Sequence, residues 1–73
     1  MNNTVEVYNV NPLSLSGSKD GYSYKLIQVT DEGLCYTMTN PYGDTKGFVI
    51  NSKELVGELI ESPMMFWAKY IGI

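Results

Sequence analysis

The residues able to do chemistry are few and poorly grouped. Ser16-Gly17-Ser18-Lys19 holds a Ser-x-x-Lys spacing. In acyl-transfer enzymes that spacing opens a helix within a large domain; here it falls in a Ser- and Gly-rich stretch of a short chain. Gly17-Ser18-Lys19-Asp20-Gly21 has the make-up of a phosphate loop but lacks the Gly-x4-Gly-Lys spacing and the strand-to-helix setting. Cys35 is the single cysteine and histidine is absent. That excludes Ser-His-Asp and Cys-His catalysis, histidine metal ligation, the usual zinc sites and an intrachain disulfide. Mid-strand, with no neighbouring cation in the sequence, Cys35 reads as a buried, inert thiol. Asp31 and Glu32 share a hairpin tip, while Asp20 and Asp44 belong to other turns. Carboxylates act as acid–base pairs or calcium ligands only within a cleft or an oxygen cage. The expectation is therefore no enzyme, no metal and no cofactor.

Binding chemistry is better represented. Residues 64–73 are strongly apolar: they either close the core of so small a domain or stay exposed for a partner, and in the second case Phe66, Trp67 and Tyr70 are the residue types that anchor interfaces. Glu58 and Glu61 precede them and would form an acidic rim. The tyrosines offer a second possibility, since Tyr22, Tyr24, Tyr36 and Phe48 could stack the bases of a single-stranded nucleic acid. Such a platform depends on cations to neutralise phosphate. Five lysines against eight acids, with no arginine to fork onto phosphate, make nucleic acid a weak expectation. The alternative for Tyr24 and Tyr36 is a place in the core, with their hydroxyls reaching its edge.

These groups must be positioned by a single domain, since the chain has 73 residues. Val5 and Val7 alternate with polar neighbours, so Thr4–Val10 is expected as a strand ended by Asn11-Pro12. Leu13–Gly21 reads as a loop finishing in an Asp-Gly turn. Tyr22–Thr30, Leu34–Thr39 and Thr45–Ile50 are β-rich runs separated by Asp31-Glu32-Gly33 and Asn40–Asp44. Pairing Thr30 with Leu34 and Thr39 with Thr45 sets Gln28 against Tyr36, Leu26 against Met38, Tyr36 against Phe48 and Leu34 against Ile50. One face then gathers Tyr24, Leu26, Leu34, Tyr36, Met38, Phe48 and Ile50. The other carries Lys25, Ile27, Val29, Cys35, Thr37 and Val49.

Asn51 is placed to cap a helix, with Glu54 at the capping-box position. Leu55, Val56, Leu59 and Ile60 form its apolar stripe, and Gly57 leaves room for close approach to the sheet. Ser62-Pro63 breaks that helix and starts another over 64–71, ending at Gly72; a final strand is the alternative. The expected fold is α+β: a small antiparallel sheet of three or four strands with a C-terminal helical segment on one face.

The N-terminus lacks the pattern of a signal peptide and no apolar run could span a bilayer. With a lone cysteine, this points to the cytoplasm. The composition suits a small acidic module that binds a partner protein and acts as a regulator or inhibitor by occluding it. A phage- or mobile-element-encoded protein that blocks a host enzyme is one such type. The uncovered sheet face would be covered by a homodimer or a protein partner. A structural subunit of an assembly is a further alternative.

Overall fold

The first hairpin is set by two residues at its turn. In the computed structural model of the chain, which describes residues 12–72, Asp20 and Gly21 take φ of 57° and 85°. Two successive positive φ values give the hairpin turn whose twist matches its flanking strands. It joins β1 (Ser16–Lys19) to β2 (Tyr22–Thr30). The expectation of a continuous loop here is thus corrected: Ser16–Lys19 is a strand, imposed by the turn and not by its own β-propensity. Gly17 lies opposite Tyr24, and a Cβ there would come within 2.6 Å of the tyrosine hydroxyl. Just upstream, Pro12–Leu15 forms one helical turn, α1. The strand expected over Thr4–Val10 lies outside the described residues.

β2 returns to β3 (Gly33–Thr39) through Asp31-Glu32, with Thr30 paired to Gly33. Pairing therefore begins one residue earlier than the sequence suggests. A bulge at Ile27 then shifts the ladder once more, so Leu26 faces Tyr36 and Tyr24 faces Met38. The two shifts of one residue restore the sidedness of Tyr24 and Leu26. They also turn Val29, expected on the outer face, onto the core. Asn40–Asp44 links β3 to β4 (Thr45–Ile50), with Gly43 at φ 90° and hydrogen bonds from Asn40 N to Asp44 O (2.9 Å) and from Gly43 N to Asn40 O (3.0 Å). The β3–β4 register, with Thr39 on Thr45, Tyr36 on Phe48 and Leu34 on Ile50, is the expected one.

The sheet is antiparallel, in the order β1-β2-β3-β4, with helices following it. α2 (Lys53–Glu61) is capped by Ser52, whose hydroxyl accepts from the backbone N–H of Glu54 and Leu55. The cap is one residue later than Asn51. Ser52 Oγ donates to Glu54 Oε1 at 2.9 Å, and that bond leads the causes holding the Glu54 carboxyl below its ordinary pKa. Ser62 ends α2 through its N–H to Glu58 O and caps α3 (Pro63–Phe66), which runs on as a π-helical turn over Trp67–Ile71. The helical expectation for 64–71 is met, with a wider last turn. A Cβ at Gly57 would meet nothing within 4 Å, so the expected role of that glycine in close approach is corrected.

The expected stripe of α2 packs on the sheet: Val56 and Leu59 are buried with Tyr24, Leu34, Tyr36, Met38, Ile50, Phe66 and Trp67. Leu55, Ile60, Leu26, Phe48 and Val29 flank that cluster. The rings of Tyr24, Tyr36, Phe48, Phe66 and Tyr70 follow one another at centroid distances of 6.1, 5.8, 5.3 and 4.8 Å. Each such contact adds about 0.5–1.5 kcal/mol beyond its buried area. α1 is held at the edge of this core by two phenols. Tyr24 donates to Leu13 O, and Tyr36 donates to Ser14 O at 2.7 Å.

Candidate functional site

The five residues expected to bind a protein partner separate into core and surface. Phe66 and Trp67 are 4 % and 9 % exposed and belong to the hydrophobic cluster. As free-standing anchors they are therefore corrected: α3 turns both toward the sheet, where Phe66 meets Phe48 and Trp67 meets Tyr22 at 5.8 Å. Tyr70 is 45 % exposed and donates its hydroxyl to Glu58 Oε1 at 2.9 Å. Lys69 Nζ reaches the same oxygen at 3.5 Å and lies over the Tyr70 ring. The lysine pKa is raised, first by hydrogen bonding with Tyr70 and then by the Glu58 charge. Glu61 is exposed at the end of α2.

Three of the five, Glu58, Glu61 and Phe66, nonetheless meet in one feature. α2 and α3, hinged at Ser62, enclose a groove of about 330 Å³ lined by Glu58, Glu61, Ser62, Met65, Phe66 and Lys69. Phe66 is its floor. Met65, 62 % exposed, is its open apolar wall. Met65 is not among the residues expected from the sequence, although its neighbours are. The missed signal lies in helical spacing: Phe66 and Trp67 face the sheet, which leaves Met64 and Met65 to face away. Met64 is also exposed.

A second groove, of about 580 Å³, opens at the other end of α3 between Asn40, Asp44 and Lys46 on one side and Trp67, Ala68, Ile71 and Gly72 on the other. It is larger, but it holds none of the strongly exposed apolar side chains. Beside it Tyr42 stands 89 % exposed on a turn fixed by Asn40 Oδ1, which accepts from the N–H of Tyr42 and Asp44 at 2.9 Å each.

The aromatic set expected to stack bases does not form an open platform. Tyr24 and Tyr36 are buried, and Tyr22 and Phe48 are half-buried against the core. Burial raises the Tyr24 pKa and pushes that of Tyr36 up to about 12, the charge of Tyr24 adding to the second. The opposite sheet face carries hydroxyls. Ser18, Ser23, Thr39 and Thr45 pair in one row across all four strands. Its apolar part is confined to Val49 beside the half-buried Cys35, and to Ile27 at the bulge.

Among the described residues no group of three or more His, Cys, Asp or Glu side chains is placed to hold a metal ion. No helix among them is long and apolar enough to cross a membrane. Comparison with protein-family models, curated proteins and solved structures finds no match to this chain.

Proposed function

We propose that this protein is a binding module that regulates or inhibits another protein by occluding part of its surface. The groove between α2 and α3 is the contact site. What supports this reading is the groove's composition: an exposed methionine over a phenylalanine floor, bordered by Glu58, Glu61 and Lys69, two acids to one base. A flexible thioether beside a preformed apolar floor adapts to a partner's side chains, and an acidic rim selects a basic surround. Met65 serves as the contact and Phe66 shapes its seat. Glu58, already shared by Lys69 and Tyr70, holds the rim in place, while Glu61 faces the partner.

The reading is tested by affinity capture from cell lysate with the wild-type chain, Met65→Glu and Glu61→Lys in parallel. One protein should be retained by the wild type and depleted at least tenfold by Met65→Glu, with thermal stability unchanged because Met65 is exposed. Identical recovery by all three chains would refute the site.

A further inference from the structure

The β3–β4 hairpin determines which backbone groups β4 offers to its outer side. Asn40 and Asp44 are a hydrogen-bonded pair, with Asn40 N donating to Asp44 O at 2.9 Å. Pairs along an antiparallel ladder alternate between hydrogen-bonded and open. In the observed register Thr39–Thr45, Thr37–Gly47 and Cys35–Val49 are therefore the open pairs. The 2.9 Å contact between the Thr39 and Thr45 hydroxyls agrees, since side chains are closest across open pairs. Thr45, Gly47 and Val49 consequently point their N–H and C=O groups away from β3. β4 is the last strand of the described sheet, all three residues are exposed, and no backbone bond from another described residue reaches them.

We propose that this edge pairs with the same edge of a second copy of the chain, antiparallel about a two-fold axis at Gly47. The occupant follows from self-complementarity. Centring on Gly47 sets Thr45 opposite Val49 of the second copy, Gly47 opposite Gly47, and Val49 opposite Thr45. Each of these residues supplies one donor and one acceptor, so all three outward residues of each copy are satisfied, with six hydrogen bonds in total. Sliding the register by two residues leaves one outward residue of each β4 without a β4 partner. The side chains agree with this choice. Thr45 against Val49 is a β-branched pair, and Lys46 lies beside Phe48 of the second copy, ammonium toward ring, with no like charge directly opposite. β4 carries few of the devices that blunt an edge: it has no proline and its ladder with β3 has no bulge, and Lys46, which shares the core face with Met38, is its one charge. The other edge, β1, is only four residues long. The pairing is independent of the groove between α2 and α3, which lies elsewhere. Three residues a side make a small contact, so the dimer is concentration-dependent.

Sedimentation equilibrium over a concentration series should show the mass rising from the 8.2 kDa monomer toward twice that value. Gly47→Pro removes an outward N–H that β3 does not use and should hold the chain at the monomer mass with its circular dichroism unchanged. Disulfide trapping in a Cys35→Ser background tests the register without relying on the proline variant. Opposed Cα atoms about 5.5 Å apart lie within disulfide reach. Gly47→Cys should cross-link to itself, while Thr45→Cys and Val49→Cys should cross-link only when mixed. A monomer at every concentration, as when a strand from Thr4–Val10 of the same chain takes the edge, would overturn the proposal. So would Gly47→Cys cross-linking no faster than Tyr42→Cys on the exposed turn.

Discussion

Tyr36 joins packing, hydrogen bonding and titration at one buried site, so Tyr36→Phe separates its contributions. The ring stacks on Phe48 at an interplanar angle of 12°, and the hydroxyl donates to Ser14 O at 2.7 Å. Phenylalanine keeps the ring and deletes the donor, which costs about 0.5–1.5 kcal/mol at neutral pH. The alkaline behaviour is more diagnostic. In the unfolded chain the phenol titrates near its ordinary value of about 10; in the fold its pKa is pushed up to about 12, by burial first and then by the Tyr24 charge. Between those two values the unfolded chain has released a proton that the folded chain retains. Stability is then intact below about pH 10 and falls by about 1.4 kcal/mol per pH unit, reaching a loss of about 2–3 kcal/mol at pH 12. For a domain this small that is a large share of the total. Urea midpoints followed by circular dichroism across the alkaline range, with ultraviolet absorbance tracking tyrosinate, give the curve. Tyr36→Phe should start lower at pH 7 and decline less steeply; the residual slope belongs to Tyr24 and Lys69, whose pKa values are raised in the same direction. Equal alkaline slopes in the two chains would show that Tyr36 does not carry the linkage.

Three further substitutions test the local assignments in α2. Gly57→Ala should stabilise by up to about 1 kcal/mol, because it removes the helix cost of glycine and its Cβ enters open space; a lower melting temperature would contradict that packing. Ser52→Ala should cost about 1 kcal/mol through loss of the cap, whereas Asn51→Ala should change stability by less than about 0.5 kcal/mol. Denaturant midpoints in the reverse order would restore Asn51 as the cap.

The three longer strands and the two helical segments were legible because their signals are local. Tyr22–Thr30 is dense in β-formers, the turns carry Gly or Pro, and Ser62-Pro63 punctuates the helices. β1 was illegible because Ser-Gly-Ser-Lys has no β pattern; its pairing comes from a turn that begins after it and from a glycine that clears the Tyr24 ring. The bulge at Ile27 left no mark either. It is a tertiary compromise that keeps Tyr24 and Leu26 inward while bringing Val29 to the core. At the candidate site the sequence pattern marks the helix but not which of its faces turns inward. Phe66 and Trp67 read as anchors on composition, yet a sheet face that presents Phe48 and Tyr22 to them gains more from burying them than from leaving them to a partner.

The register shifts in β2 also explain why one helical layer suffices without a disulfide. The expectation that both sheet faces need cover assumed that Ile27, Val29 and Val49 share the second face. With Val29 turned inward, that face is mainly the row Ser18, Ser23, Thr39 and Thr45 beside Lys25 and Thr37, which water solvates well. An antiparallel sheet tolerates one wet face when its side chains alternate in this way. Exposed apolar side chains remain on that face only at Ile27 and Val49, and others lie away from it, among them Met64 and Met65 on α3. A partner and a second copy would then engage different margins of the same fold, and neither would need to displace the helical layer that supplies its stability.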